Sequence, residues 1–376
     1  MHGEPHRVVG RSRARRRPGG TADLRDGRHE LWQRGNRGAD VINVALIGAG
    51  NWGKNLLRTL HQMRGAELST CCDADLDRCK NRLNGFRGIA ITGDPKEVFR
   101  DDSIQAVVIA TPVPSHFELA HEAILAGKDV LVEKPMTLAL DDAERLVAAA
   151  EERDRILMVG HLLEYHPCVV RMKELLESGE LGKPYYMYSQ RLNLGRIRKD
   201  ENALWSFAPH DISIILHILD LEPETVSARG AAYVRSNVED VVFLDMRFPD
   251  GVVAHVHVSW LDPHKVRRTT LVGSKKMVVF DDMEPAEKVR IYDKGVEPNG
   301  RFVGYAESLS LRFGEVVVPA IAMQEPLRLE CEHFLECVRE RQRPRSDGHD
   351  GLRVVRVLDA AQRSLKNNGT PIDLSG

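Results

Sequence analysis

The chain has 376 residues, enough for two domains with substantial cores, and its 42% hydrophobic and 29% charged residues are ordinary for a globular protein. A formal net charge of −2 gives no overall attraction to nucleic acid or to a membrane surface. No apolar run reaches the length of a transmembrane helix and no signal-peptide core is present, so a cytoplasmic location is expected. The six cysteines form no CxxC pair and no metal-ligand spacing, which suits free thiols in a reducing compartment.

Residues 1–40 differ from the rest. Arg11 to Pro18, RSRARRRP, is a basic cluster in a segment with almost no apolar periodicity, and such a segment is expected to be disordered. It reads as an arm for an anionic partner or as an extension with no specific role, with translation then starting near Val41. No aromatic or helical pattern accompanies the arginines, so no specific nucleic-acid partner is expected.

From Ile42 to Gly53 a short apolar run, Val44-Ala45-Leu46-Ile47, ends in Gly48-Ala49-Gly50-Asn51-Trp52-Gly53 and leads into a helical pattern. A buried strand, a glycine turn and a helix start in that order bind a dinucleotide pyrophosphate. Gly48 permits the tight turn, Gly50 lets the backbone approach the phosphates, and Gly53 lets the helix pack closely. The exposed N–H groups and the positive end of the helix dipole face the anion. The second strand ends in Asp73, 20 residues past Gly53. An acid there accepts hydrogen bonds from the ribose hydroxyls and repels a 2′-phosphate, which predicts NAD.

Strand and helix patterns alternate up to Gly160, predicting six parallel strands with crossover helices. The fourth strand, Ala106 to Ala110, stops at Thr111-Pro112-Val113-Pro114-Ser115-His116, where Ser115 is expected to cap the next helix. The fifth runs directly into Glu133-Lys134-Pro135. If strands one, four and five are neighbours, the glycine turn, the Thr111 to His116 loop and Lys134 converge on one crevice. The expected cofactor residues are Gly48, Gly50, Asn51, Trp52, Gly53, Asp73, Thr111, Pro112, His116, Glu133 and Lys134.

The second half, 161–376, alternates with period two and predicts a mostly antiparallel sheet followed by two C-terminal helices, the last of which can pack back on the first domain (41–160). Pro209 is expected to set up a helix start that carries His210 beside Asp211, a group able to shuttle a proton near neutral pH. Arg191, Arg196, Arg198 and Lys199 can clamp a diphosphate or form a solvated loop. His255 and His257 share one strand face, but no third ligand accompanies them and no metal is expected.

Together these motifs resemble the glucose–fructose oxidoreductase and inositol dehydrogenase (Gfo/Idh/MocA) family from about Ile42 to Pro371. They are the glycine turn, Asp73, Ala110-Thr111-Pro112, Glu133-Lys134-Pro135, Gly160-His161 and Pro209-His210-Asp211. The resemblance implies an α/β architecture: a Rossmann doubly wound sheet, then an α+β domain whose open, mainly antiparallel sheet joins dimers or tetramers. It assigns catalysis to Lys134 and His210. Family members commonly carry an Asp four residues before that histidine; this chain has Ser206, and Asp211 is left to orient the imidazole. Asn193-Leu194-Gly195-Arg196 with Trp205 to Asp211 is closest to nucleotide-sugar 3-dehydrogenases. That implies a sugar or sugar-nucleotide substrate, the C3 hydroxyl of a UDP-N-acetylhexosamine or its uronic acid, held by His161, Tyr165, Asn193, Arg196, His210 and Asp211. The alternatives are an enzyme acting on a free polyol, inositol or sugar, and a cofactor-binding regulator without turnover.

Overall fold

Val44, Ala45, Leu46 and the whole of Ala106–Ile109 are fully buried, as strands covered by helices on both faces must be. The structure is a computed structural model describing residues 41–195, 197–199, 201–298 and 309–375. The expectations for residues 1–40 and for Arg196 lie outside these. Strands β1 (Ile42–Ile47), β2 (Ala66–Cys72), β3 (Ala90–Thr92), β4 (Ala106–Ile109), β5 (Asp129–Glu133) and β6 (Leu157–Gly160) form one sheet in the order β3-β2-β1-β4-β5-β6. Every pairing in it is parallel. The strand order reverses between β1 and β4, and that reversal opens a crevice beyond the strands' carboxyl ends.

Helices α1 (Gly53–His61), α2 (Leu76–Arg82), α3 (Pro95–Arg100), α4 (His116–Leu125) and α5 (Leu140–Glu152) cover the sheet. Leu56, Leu57 and Leu60 of α1 fill the core on one face, and Ile124 and Leu146 fill it on the other. Asp75 and Asp94 cap α2 and α3 by accepting from backbone N–H groups, the usual service of a short acid at that position. Ser115 occupies the cap position of α4 without making a capping bond. Its hydroxyl instead lies 2.8 Å from both Thr111 Oγ1 and the Pro112 carbonyl, bracing the loop before the helix.

The second sheet comprises β7 (Pro184–Leu192), β8 (Thr225–Ala231), β9 (Val241–Arg247), β10 (Val253–Ser259), β11 (Val266–Gly273), β12 (Met277–Asp281), β13 (Val289–Pro298), β14 (Leu309–Val317) and β15 (Ile372–Asp373). Its order is β14-β13-β12-β11-β7-β10-β9-β8-β15, with β7 and β10 parallel and the other pairings antiparallel. In β9, Val242, Leu244 and Met246 are buried while Phe243 is exposed, the alternation of a sheet covered on one face. Helices α6 (Pro167–Glu177) and α7 (Ala203–Leu219) cover the inner face, and the outer face leaves Tyr186, Phe243 and Val253 exposed.

Pro209 does not begin a helix. It lies inside α7, which starts at Ala203 behind Asn202, whose side chain accepts from Trp205 N. A 17-residue helix buried on most of its surface holds together despite one interior proline, because packing outweighs the missing hydrogen bond. Helices α8 (Pro326–Glu340) and α9 (Gly348–Lys366) return to the first sheet. Phe334 and Leu335 of α8 join the core around β1, while α9 places Val355 in the first domain's core and Val354, Val357 and Leu358 in the second's.

Candidate active site

Gly48 has φ +102° and lies so close to the end of β4 that a Cβ would sit 2.6 Å from the Ala110 carbonyl. Only glycine tolerates both conditions. Gly53 faces an equally tight restriction, but its neighbour is the Gly48 carbonyl, 1.9 Å from where a Cβ would stand, so it closes the turn on itself. Gly50 is the contrast. A Cβ there meets nothing within 4 Å, because this backbone faces the open groove where a phosphate must approach. Gly53→Ala is therefore expected to weaken NAD binding by roughly 10- to 100-fold, the equivalent of about 1–3 kcal/mol of forced strain. Calorimetric titration of NAD checks this, and unchanged affinity would contradict the turn's role.

The groove is a cavity of about 1040 Å³ lined by Gly48, Gly50, Asn51, Asp73, Arg78, Thr111 and Pro112, with Ile197, Arg198 and Lys199 contributed from the second domain. Asp73 terminates β2 as expected, nearly buried, with Oδ2 accepting from Ala49 N at 2.8 Å and Oδ1 from Asp75 N at 2.9 Å. Arg78 approaches the same carboxylate to 3.2 Å, a partner that β2 gave no hint of. Arg78 also reaches the second oxygen at 3.4 Å, so two backbone N–H groups and the guanidinium take up the carboxylate's acceptor positions, and ribose hydroxyls would be received in place of Arg78. The open Gly50 backbone and this acid fit a dinucleotide.

A second cavity of about 550 Å³ shares Thr111, Pro112 and Arg198 with the groove and continues to Trp52, Glu133, Lys134, Arg191, His210 and Arg267. The Trp52 indole donates to the Glu133 carboxylate, which ties the glycine turn to the end of β5. Burial raises the Glu133 carboxyl to about 7, opposed by the Trp52 bond and the charge of Lys134. Lys134 Nζ lies 3.2 Å from the Ser206 carbonyl on α7 and is its donor. Pro209 cannot bond back into that stretch of helix, and the lysine meets the helix one turn before His210. Residues 206 and 210 are four apart and share a helix face, which brings His210 to the same cavity. Burial lowers Lys134 to about 8, against the pull of Glu133. The His210 ring is driven well below its ordinary range by burial, then by Lys134, Arg191 and Arg267, and stays neutral.

Several expected residues serve other purposes. Asp211 follows His210 directly, so it points to another side of the helix, where it is 1% exposed. It accepts from Arg191 Nε at 2.6 Å and Nη2 at 3.2 Å and from Ser189 Oγ at 2.5 Å; it holds Arg191 and not the imidazole. His161 is buried with Nδ1 2.6 Å from Asp350 Oδ2, linking β6 to α9. Tyr165 is also buried, its hydroxyl 3.0 Å from Ser346 Oγ and its ring under the Arg345 guanidinium. Neither reaches the cavity. Asn193 lies outside its lining too, with a buried Oδ1 that has no partner among the described residues. His116, 1% exposed, has its ring nitrogens 3.0 and 2.9 Å from the Pro135 and Thr111 carbonyls; burial favours the neutral ring, which donates its one N–H to one of them, and both nitrogens face the loops. His255 bonds Asp245 and His257 stacks on Phe243. Glu201, Arg267 and Asp282 line the cavity without having been expected, since no local motif marks them.

Two family models match this chain. One, described as an oxidoreductase family with an NAD-binding Rossmann fold, covers residues 42–161, and the GFO/IDH/MocA C-terminal domain covers residues 169–279. The scyllo-inositol 2-dehydrogenase (NAD(+)) of Bacillus subtilis is 26% identical over 349 residues, spanning 89% of this chain and 96% of that protein. The UDP-N-acetylglucosamine 3-dehydrogenase of Acidithiobacillus ferrooxidans is 28% identical over 253 residues, spanning 67% and 76%. A crystal structure from Magnetospirillum magnetotacticum MS-1, described as that of an oxidoreductase, superimposes with TM-score 0.73 at 32% identity over 85% of this chain and 99% of its own. The two models together span more than half of the chain, and the chain belongs to the GFO/IDH/MocA family of NAD-dependent oxidoreductases.

Proposed function

We propose that the protein uses NAD to oxidise a sugar secondary alcohol, and that the alcohol is the C3 hydroxyl of a UDP-N-acetylhexosamine or its uronic acid. The observation that carries this reading is the meeting of Lys134 and His210 in one cavity that opens from the glycine-turn groove. NAD, when bound, supplies the hydride acceptor. Gly48, Gly50, Asn51, Gly53 and Asp73 would hold it, with Trp52, Thr111, Pro112 and Glu133 on the side that faces substrate.

The chain's own part is to manage the hydroxyl proton. Lys134 as a neutral amine accepts it; burial makes the neutral form available near pH 8. His210, neutral throughout, hydrogen-bonds the same oxygen and passes the proton outward. Both groups need to come within about 3 Å of that oxygen. Ser206 contributes a carbonyl that accepts from the lysine amine, a task its side-chain identity does not affect.

The likeness to the UDP-N-acetylglucosamine 3-dehydrogenase supports a nucleotide sugar, and the inositol dehydrogenase relative supports a free polyol as the second reading. NADH formation from a panel of UDP-sugars, free sugars and inositols separates the two. UDP-N-acetylglucosamine or its uronic acid is expected to give the highest kcat/KM, and turnover confined to inositols would overturn the nucleotide-sugar assignment.

A further inference from the structure

Arg191 on β7 and Arg267 on β11 are direct partners in the antiparallel register, so their side chains leave the sheet on the same face, about 5 Å apart at Cβ. Like charges opposed in this way destabilise a sheet unless something neutralises them. Asp211 does so for Arg191, occupying its Nε and Nη2. Arg267 receives nothing equivalent. Among the described residues its guanidinium has no hydrogen bond and no ion pair, although it is only partly exposed and lines the cavity with Lys134 and His210.

The acids around that cavity are already engaged. Glu201 pairs with Arg198. Asp282 lies beside Arg267 in the chain trace, its N–H bonding the Arg267 carbonyl at 2.9 Å, but its carboxylate is 3.0 Å from Lys288 Nζ. Glu133 takes the Trp52 indole and stands next to Lys134. Among the described residues that line the cavity, Arg267, with its planar fork of donors, is the cation left without a hydrogen bond or ion pair, attracted by Asp211 and Asp282 only at longer range and partly removed from water. A guanidinium in that position is completed by a carboxylate or a phosphoryl group, which accept from it in pairs.

We infer that Arg267 is a specificity-determining residue that receives an oxyanion carried by the substrate, so that the enzyme selects acidic sugars or sugar phosphates over neutral polyols. The inference rests on reading the cavity as a sugar-oxidising site. Arg191, clamped by Asp211, keeps the wall rigid and adds to the positive potential without being consumed by the ligand.

The test compares wild type, Arg267→Met and Arg267→Lys on four probes: UDP-N-acetylglucosamine, its uronic acid, free N-acetylglucosamine and free glucuronate. NAD titration into each variant reports whether it is folded. If the bound anion is the carboxylate, wild type prefers each uronic acid to its neutral counterpart, and Arg267→Met reduces that preference in kcat/KM by roughly 10- to 100-fold. If it is phosphoryl, the preference that falls is the one for UDP-sugars over free sugars. In either arm the loss appears mainly in KM, and Arg267→Lys restores part of it as a point charge without the fork. A folded Arg267→Met enzyme with both preferences unchanged would overturn the inference while leaving the sugar-oxidising reading intact. Wild type inactive on all sugars would sink both.

Discussion

Lys134→Ala is expected to lower kcat by roughly 10²- to 10⁴-fold while NAD still binds, the range that removing one positioned proton acceptor produces. Among the described residues the other candidates are poorer acceptors: burial and nearby cations push His210 well below its ordinary range, so it takes up a proton weakly, and Glu133 is turned into its bond with Trp52. The pH dependence carries the sign. Lys134 is lowered to about 8, chiefly by burial, and an ammonium cannot accept a proton. Oxidation therefore rises with pH through about 8 and levels off above it, whereas an exposed lysine would put that limb near about pH 10. Glu133 is itself raised by burial and attracts the Lys134 ammonium, so the limb belongs to the two groups as a pair. His210, pushed far down by burial and by surrounding cations, adds no limb of its own near neutrality. Steady-state rates across pH for wild type and Lys134→Ala check both statements. Full activity in the variant would remove the lysine from the mechanism, and an unchanged limb would assign the titration to another group.

Asp211→Ala is the change expected to cost most stability. Asp211 and Arg191 are 1% and 6% exposed, bonded at 2.6 Å, with Ser189 Oγ completing the carboxylate. Removing one member of a buried pair strands the other's charge and costs about 3–5 kcal/mol. The stranded group would be Arg191, already opposed across the sheet by Arg267, so the loss should fall at the upper end of that range. A lowered urea midpoint with unchanged slope is the expected result. The same variant separates two roles for this acid. If Asp211 oriented His210, the folded fraction would show an altered pH profile. The geometry predicts a profile that keeps its limb near pH 8, because the carboxylate never meets the imidazole.

The first prediction joins residues far apart in sequence that share one cavity, Lys134 and His210, and the second separates two sequence neighbours, His210 and Asp211. Glycines and prolines report local backbone requirements. Gly48 was legible because its positive φ and its approach to Ala110 leave no alternative. The adjacency of β1, β4 and β5 entered the sequence reading only as a condition, and the observed sheet order meets it. Pro209 misled for the same reason it was noticed: a proline is a strong local signal, but burial of α7 on most of its surface overrode it. β14 and β15 escaped because each exists only through pairing with another strand.

The sequence by itself determined the Rossmann half, the cofactor, the second antiparallel sheet and the candidacy of Lys134 and His210. These depend on periodicity, on glycine's missing side chain and on spacing along one chain. Only the tertiary structure decided which polar groups stay available for chemistry. Asp350 takes His161 through Nδ1 alone, leaving a buried Nε2 without a hydrogen bond among the described residues, while Tyr165 is occupied by Ser346, His116 by two loop carbonyls and Asp211 by Arg191. Arg267 has no hydrogen bond or ion pair among the described residues, with Asp211 and Asp282 attracting it only at longer range, and it reaches the cavity from a strand with no motif at all. The physical reason is that a buried polar group must find its partner, and that partner comes from whichever element the fold packs beside it, however distant in the chain.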